Sequence, residues 1–217
     1  MATQTITRLF DSYDSAATAV QSLEASGVPH DDISLVSNDA EGRYGASPAG
    51  AAATAGTETG VTSGDPAQGA STGAGSGATL GTVLGGGAGL LAGLGMLAIP
   101  GVGPIVAAGW LVATLTGAGV GAAAGGLAGS LAGAGVNEAD AHVHAEGVRR
   151  GGAVVTVRTD ETKAPSIEAL LDGRAPVDLS ARRAEYEAEG WKGYDPAAPA
   201  YTSDEVTRER NRRVSVT

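Results

Sequence analysis

Residues 77–93 read GATLGTVLGGGAGLLAG, with a glycine at every fourth position. Residues 117–133 read GAGVGAAAGGLAGSLAG and repeat that spacing. Both runs lie within residues 66–137, a stretch that contains no Asp, Glu, Lys, Arg or His. Glycines four residues apart line one side of a helix, and this groove lets a second helix pack close to the backbone. The spacing therefore predicts two helices that pack through glycine faces.

The break between the two runs is short. Residues 99–104 read IPGVGP, and two prolines with two glycines in six positions end a helix. We therefore predict an antiparallel helical hairpin with helices over residues 77–98 and 105–134. The predicted helix-packing residues are Gly77, Gly81, Gly85, Gly89, Gly93, Gly117, Gly121, Gly125, Gly129 and Gly133. The predicted turn residues are Pro100, Gly101, Gly103 and Pro104.

The N-terminal residues carry the pattern of a β-α-β unit. β-Branched and aromatic residues from Thr5 to Phe10 predict a strand, and apolar residues at helical spacing follow up to Leu23. Gly27 and Pro29 end that helix, and residues 32–37 predict a second strand. Short connections favour a parallel or split crossover unit.

A second unit of this kind follows the glycine-rich block. Asn137 is the predicted N-cap of a polar helix, residues 153–158 form the clearest strand pattern in the chain, and residues 165–172 predict a helix. Residues 177–180 predict a short strand. Joined across the insert, the two units have the order of a ferredoxin-like split βαβ sandwich. The predicted fold class is therefore α+β, with an inserted antiparallel glycine-zipper αα-hairpin and a polar C-terminal tail.

The predicted organisation has five parts. They are the first βαβ half of the α+β domain (1–37), a flexible, low-complexity Gly/Ala/Ser/Thr linker (38–76), the glycine-zipper hairpin (77–136), a helix plus the second βαβ half (137–180), and a polar, partly helical tail (181–217). In the tail, Thr202 and Glu205 have capping-box spacing before an arginine-rich helix.

Composition excludes several classes of function. A formal net charge of −10 argues against nucleic-acid binding, which needs clustered Lys and Arg. The chain has no cysteine, so disulfides and thiol catalysis are excluded. Residues 1–10 have no basic region followed by an apolar run, which argues against a cleaved secretory signal. We expect a cytoplasmic or inner-membrane-associated protein.

Candidate sites for chemistry are few. His30, His142 and His144 are interpreted as surface residues, since too few other ligands converge with them for a metal site. The glycine runs lack the preceding strand and the following lysine of a phosphate-binding loop. No nucleophile–base pair emerges, so we predict a protein that is not an enzyme and has no metal, cofactor or evident small-molecule substrate.

Three aromatic residues are spaced along the tail. Trp191, Tyr194 and Tyr201 are expected to dock the tail onto the sheet domain rather than to form a partner-recognition motif. The arginine-rich end of the last helix is interpreted as a solvated helix terminus.

Three segments resemble the general stress protein 17M-like family, also called the heat-induced stress protein family. Residues 10–28 are similar to that domain's opening and residues 31–36 to its second strand. Residues 98–104 are similar to the turn of the glycine-rich hairpin in longer members, and residues 147–155 to the return to the sheet. The resemblance covers roughly residues 4–37 and 77–195. It implies a bacterial, stress-associated, non-enzymatic protein and supplies no catalytic or ligand residue.

Two alternatives stay open at this point. The charge-free hairpin has the length to span a membrane, where Trp110 would lie near an interface, or it packs on itself, on the sheet domain or on other copies of the chain. We expect a stress-response protein that forms homo-oligomers or associates with a membrane through the hairpin. The other expectation is a soluble ligand-binding or regulatory ferredoxin-like module, which rests on fold analogy.

Overall fold

The computed structural model describes residues 3–43, 95–99, 102–111 and 119–214. Within these ranges the chain forms five β-strands, six α-helices and a 3-10 turn at His30–Asp32. The strands are β1 (Thr3–Phe10), β2 (Ile33–Asn38), β3 (Gly95–Ile99), β4 (Gly103–Gly109) and β5 (Ala153–Asp160). The helices are α1 (Tyr13–Ala25), α2 (Gly119–Gly133), α3 (Glu138–Arg149), α4 (Ala164–Asp172), α5 (Leu179–Ala188) and α6 (Ser203–Val214).

The strands form one antiparallel sheet in the order β1-β5-β2-β4-β3. β5 comes from the second half of the chain and lies between β1 and β2. Val157 of β5 pairs with Ile6 of β1, and Val155 of β5 pairs with Leu35 of β2. The predicted mixed α+β class is therefore confirmed, and the strands predicted over residues 5–10, 32–37 and 153–158 are present.

Helices cover both faces of this sheet. Successive strand residues point to opposite faces, so Val155 joins one apolar core and Val154 the other. On the first face, α1 and α4 pack on the strands; the largest buried side chains of this core are Phe10, Leu23, Ile33, Leu35 and Leu171. On the second face, α2 and α3 pack on the strands; the largest buried side chains there are Leu9, Ile105, Leu111, Leu127 and Leu131.

The helical hairpin predicted across the glycine-rich block is wrong over residues 95–99 and 103–109, whereas α2 (Gly119–Gly133) is helical and lies within the second predicted helix. Residues 95–99 and 103–109 form β3 and β4, which pair with each other as a β-hairpin. β4 also extends the edge of β2, from the pair Asn38↔Ile105 to the pair Ser34↔Gly109. Ile105 packs in the second-face core and the next residue, Val106, in the first, which is the alternation of a strand. Backbone pairing with β2 and these β-branched residues outweigh the helical interpretation.

Two boundaries also differ from those expected. The strand predicted over residues 177–180 is wrong, because Asp178 is the N-cap of α5 and accepts hydrogen bonds from the backbone N–H groups of Ser180 and Ala181. The Val177 N–H donates to the Leu9 carbonyl of β1 at 2.8 Å. Residues 39–43, assigned to the linker, pack against the domain, with Asp39 buried. The rest of the linker, residues 44–76, lies outside the described residues.

β4 approaches β2 closely at Gly109, and comparison with Gly27, which has a similar φ angle, tests this close approach. Gly109 has φ +90°, and a Cβ added there would lie against the Ile33 carbonyl oxygen and 2.7 Å from the Ser34 Cα. Gly27 has φ +87°, but a Cβ there meets nothing within 4 Å. We expect Gly27→Ala to cost about 1 kcal/mol, from its left-handed conformation alone. We expect Gly109→Ala to cost at least about 3 kcal/mol, because backbone must also move. Urea unfolding measures both values, and equal losses would contradict the close approach.

Candidate functional site

The second half of α2 has one face inside the protein and one outside. Leu127 and Leu131 are buried in the second-face core, next to α3. Gly129 and Gly133 are exposed, and a Cβ added to Gly133 would meet nothing within 4 Å. Gly129 and Gly133 therefore face away from the chain's own core. We call the surface at Gly129 and Gly133 the α2 outer face.

α2 is not one straight helix. Gly126 has φ 53° and ψ −141°, which interrupts the helical backbone between its two halves. The hydroxyl of Ser130 donates to the Gly126 carbonyl at 2.9 Å, so a side chain satisfies a carbonyl at the break. A positive φ costs glycine little, and Gly125 beside it adds no side chain to resist the bend. The glycines before and after Gly126 therefore do not continue along one helical face.

The remaining predicted site residues are distributed as follows. Gly121 and Gly125 lie in the first half of α2. Gly103 and Pro104 begin β4, pairing with Ile99 and Ala98, so the predicted turn position connects two strands rather than two helices. Gly77, Gly81, Gly85, Gly89, Gly93, Pro100, Gly101 and Gly117 lie outside the described residues.

The interpretation of α3 as a solvated helix is wrong on one side. His144 and Glu146 are each only 1% exposed, and Ala141, Ala145 and Val148 join the second-face core. The spacing of these three apolar residues is a helical stripe that could have revealed the buried side. The polar residues around it concealed the stripe. His142 is half-buried and its Nδ1 accepts a hydrogen bond from the Tyr194 N–H at 3.3 Å, while His30 stays on the surface.

A cluster of charges lies where α3 ends. Its central residue, Arg150, is 5% exposed and donates to Glu146 at 2.7 Å and to Glu189. Glu209 of α6 lies 3.6 Å away, and the guanidinium is stacked 4.1 Å above the Tyr186 ring. We call these five residues the Arg150 cluster. It joins α3 to both tail helices, α5 and α6.

Hydrogen bonding keeps Arg150 and Glu189 of the Arg150 cluster charged. Burial alone would lower the pKa of Arg150, but hydrogen bonds to Glu146 and Glu189 outweigh burial, so the pKa is raised. Burial also acts to raise the pKa of Glu189, but the hydrogen bond from Arg150 leaves it below its usual value. Both groups are therefore ionised at neutral pH, and the arrangement holds elements together rather than offering a proton to a substrate.

The tail docks on the domain, as its aromatic residues predicted. Tyr194 is buried in the second-face core, and burial raises its pKa to about 12. Trp191 packs edge-on against Tyr186 with ring centroids 5.8 Å apart. The Tyr201 ring lies 4.7 Å from the Arg149 guanidinium. The solvated terminus expected for α6 is wrong in part, because Arg210 pairs with Glu41 and Arg213 with Asp11.

Signatures of known chemistry do not appear in the described ranges. No group of three or more His, Asp or Glu residues there could hold a metal ion. No helix in the same ranges is long and apolar enough to cross a membrane. Comparison with known proteins found no matching family model, no matching curated protein and no matching solved structure. The geometry of the site is therefore the basis for the function proposed below.

Removing the Arg150 side chain tests the cluster. Arg150→Met leaves Glu146 buried with Arg149 as its one ion-pair partner in the described part of the chain, so we expect a loss of about 3 kcal/mol in the free energy of unfolding. Arg183→Met is the matched control, since Arg183 pairs with Asp140 at a partly exposed position and its loss should cost less than about 1 kcal/mol. Adding Glu146→Gln to Arg150→Met should recover part of the loss by removing the buried charge. Equal losses in the two single variants would contradict the role of the cluster.

The buried His144 predicts sensitivity to acid. Burial, with a smaller contribution from the Arg8 charge, lowers the pKa of His144 from 6.5 to about 4. The folded protein therefore holds His144 neutral, while the unfolded chain binds a proton below pH 6.5. This contribution to stability is complete above about pH 6.5 and is lost as pH falls toward 4, by up to about 3 kcal/mol.

His144→Leu removes that titration. Between pH 7 and pH 4, its free energy of unfolding should fall less than that of the unchanged protein. His30→Gln, which removes a surface histidine, is the matched control for loss of a histidine side chain. Denaturant unfolding at several pH values measures the difference, and identical slopes for His144→Leu and the unchanged protein would disprove the assignment.

Proposed function

We propose that this protein is a non-enzymatic stress-response protein that self-associates through its glycine-rich, charge-free block. The observation that carries the proposal is the orientation of α2. Its leucines enter the protein's own core, while Gly129 and Gly133 stay at the surface. A surface of small residues lets the backbone of a second helix approach closely, so the α2 outer face suits a second copy of the same helix. The connection with stress rests on the resemblance described above.

The distribution of charge also favours association at this surface. Chains with a net charge of −10 repel one another, and repulsion is weakest where no charges are present. α2 contains no charged residue. The helices α5 and α6, in contrast, carry dense charges of both signs that are engaged in ion pairs. Among these surfaces, the α2 outer face has the lowest desolvation cost on association.

The ferredoxin-like relationship belongs to the same proposal. β1, α1 and β2 with β5 between the two strands have the connectivity of a split β-α-β unit. In this view the segment from residue 39 to α3 is an insert into a small sandwich, and the insert provides the assembly surface. Membrane insertion of the same block is the competing outcome. In that case the glycines would face lipid or another helix inside the membrane.

Substitutions on the α2 outer face test self-association. Gly129→Gln with Gly133→Gln adds bulk without adding charge or an apolar patch, so we expect the oligomer to dissociate toward monomer. Gly129→Ala with Gly133→Ala is the matched control: it keeps the residues small, so the oligomer should persist, and helix propensity should raise stability by up to about 1 kcal/mol per site. Sedimentation velocity measures the mass of each species.

Three results would count against the proposal. The first is an unchanged oligomer in the glutamine variant with a normal unfolding midpoint. The second is an unchanged protein that stays monomeric at all concentrations tested. The third is retention of the expressed protein in carbonate-washed membranes, which favours the membrane alternative.

A further inference from the structure

A cavity of about 790 Å³ opens at the end of the sheet where α1 ends and α4 begins. Its walls come from the loop after α1 (residues 26–29), the end of β5 (158–160) and the first two turns of α4 (163–170). Pockets for small molecules typically have volumes of about 300–1,000 Å³. The space therefore suits a small organic molecule, up to roughly the size of a short peptide.

One side of the cavity is apolar. Val28, Ile167 and Leu170 line it and pack against the first-face core. Ile167 is buried, whereas Val28 and Leu170 stay partly accessible. An aliphatic group placed over these side chains would remove apolar surface from water at both partners.

The charged residues in the lining are balanced. Asp32 and Arg158 pair with each other, and the Arg158 guanidinium donates to the Asp32 carboxylate at 3.3 Å and to the Asp31 carbonyl at 3.1 Å. The side chains of Asp160 and Lys163 make no hydrogen bond or ion pair with any residue in the described ranges. One carboxylate and one ammonium group are therefore left for a ligand to match.

We propose that this cavity binds a small zwitterion with aliphatic side chains, of the size of an apolar dipeptide. The ligand's ammonium group pairs with Asp160. Its carboxylate pairs with Lys163 and accepts from the Ser166 hydroxyl, which also lines the cavity. Its side chains cover Val28, Ile167 and Leu170. A dianion would leave Asp160 facing a like charge, and a dication would do the same to Lys163, so a zwitterion fits this lining best.

The site goes beyond self-association and does not depend on it. The apolar lining of the cavity belongs to the first-face core, whereas α2 packs on the second face. Loss of ligand binding and loss of oligomerisation can therefore be observed separately in variants of the same protein.

Three related probes test the proposal on the full chain: leucyl-leucine, its N-acetyl form without the ammonium group, and its C-terminal amide without the carboxylate. We expect leucyl-leucine to bind, with NMR shifts at the amides of Thr159, Ser166 and Ile167. Each blocked probe should bind at least about tenfold more weakly, because one charged group loses its partner. Asp160→Asn should weaken leucyl-leucine by a similar factor and leave the N-acetyl probe unaffected, and Lys163→Met should show the reciprocal pattern with the amide.

Glu161→Gln and Lys192→Met are matched controls, since each removes one charge outside the cavity lining and should leave the affinity unchanged. Equal affinity for the three probes would overturn the proposal, as would unchanged binding in both cavity variants. Shifts confined to residues away from Thr159, Ser166 and Ile167 would also overturn it.

Discussion

The position of β5 between β1 and β2 is the constraint on which the rest of the structure depends. Only 22 residues lie between the end of β1 at Phe10 and the start of β2 at Ile33, yet the two strands do not pair with each other. They become one sheet only when β5, from residues 153–160, pairs with both. Its residues from Ala153 to Val157 are all buried, as expected for a central strand covered by helices on both faces. The chain that follows β2 therefore adds β3 and β4 at one edge of the sheet and then returns to the centre of the sheet as β5.

The turn into β5 holds the returning chain against β1 and β2. Arg150 ends α3, Gly151 and Gly152 follow, and the Asn38 N–H donates to the Gly152 carbonyl at 3.2 Å. A Cβ on Gly152 would lie 2.8 Å from the Phe10 carbonyl oxygen, so the chain passes close to the end of β1 there. The Arg150 cluster lies beside this turn and joins it to the tail. Charged residues of the tail therefore help to hold the chain at the turn into β5. An ion pair this buried also carries a large desolvation cost, so it favours specific pairing more than it adds stability.

Local patterns in the sequence were sufficient for some elements and insufficient for others. Thr5 to Phe10, Gly27 and Asn137 could be interpreted correctly because alternation, a left-handed glycine and an N-cap are each properties of a few neighbouring residues. Residues 103–109 could not, because what makes them a strand is the free edge of β2, some seventy residues earlier in the chain. The burial of Glu146 depends in the same way on Arg150 and on Glu189 in the tail. The glycine spacing indicated a packing surface but carried no information about Gly126, where the helix is interrupted.

The two faces of the sheet divide the molecule into surfaces of different character. On the second face, α2 covers the core with leucines and exposes glycine, so its outer surface offers little apolar area and almost no electrostatic specificity. In the proposed self-association, affinity would come from close backbone approach, which is sensitive to added bulk and insensitive to salt. On the first face, the gap between the end of α1 and the start of α4 combines an apolar wall with one unmatched charge of each sign. Recognition there depends on charge placement and is weakened by salt. Because β5 contributes to both cores through alternating residues, the two surfaces share a scaffold without sharing a side chain, and changes at one can be made without altering the other.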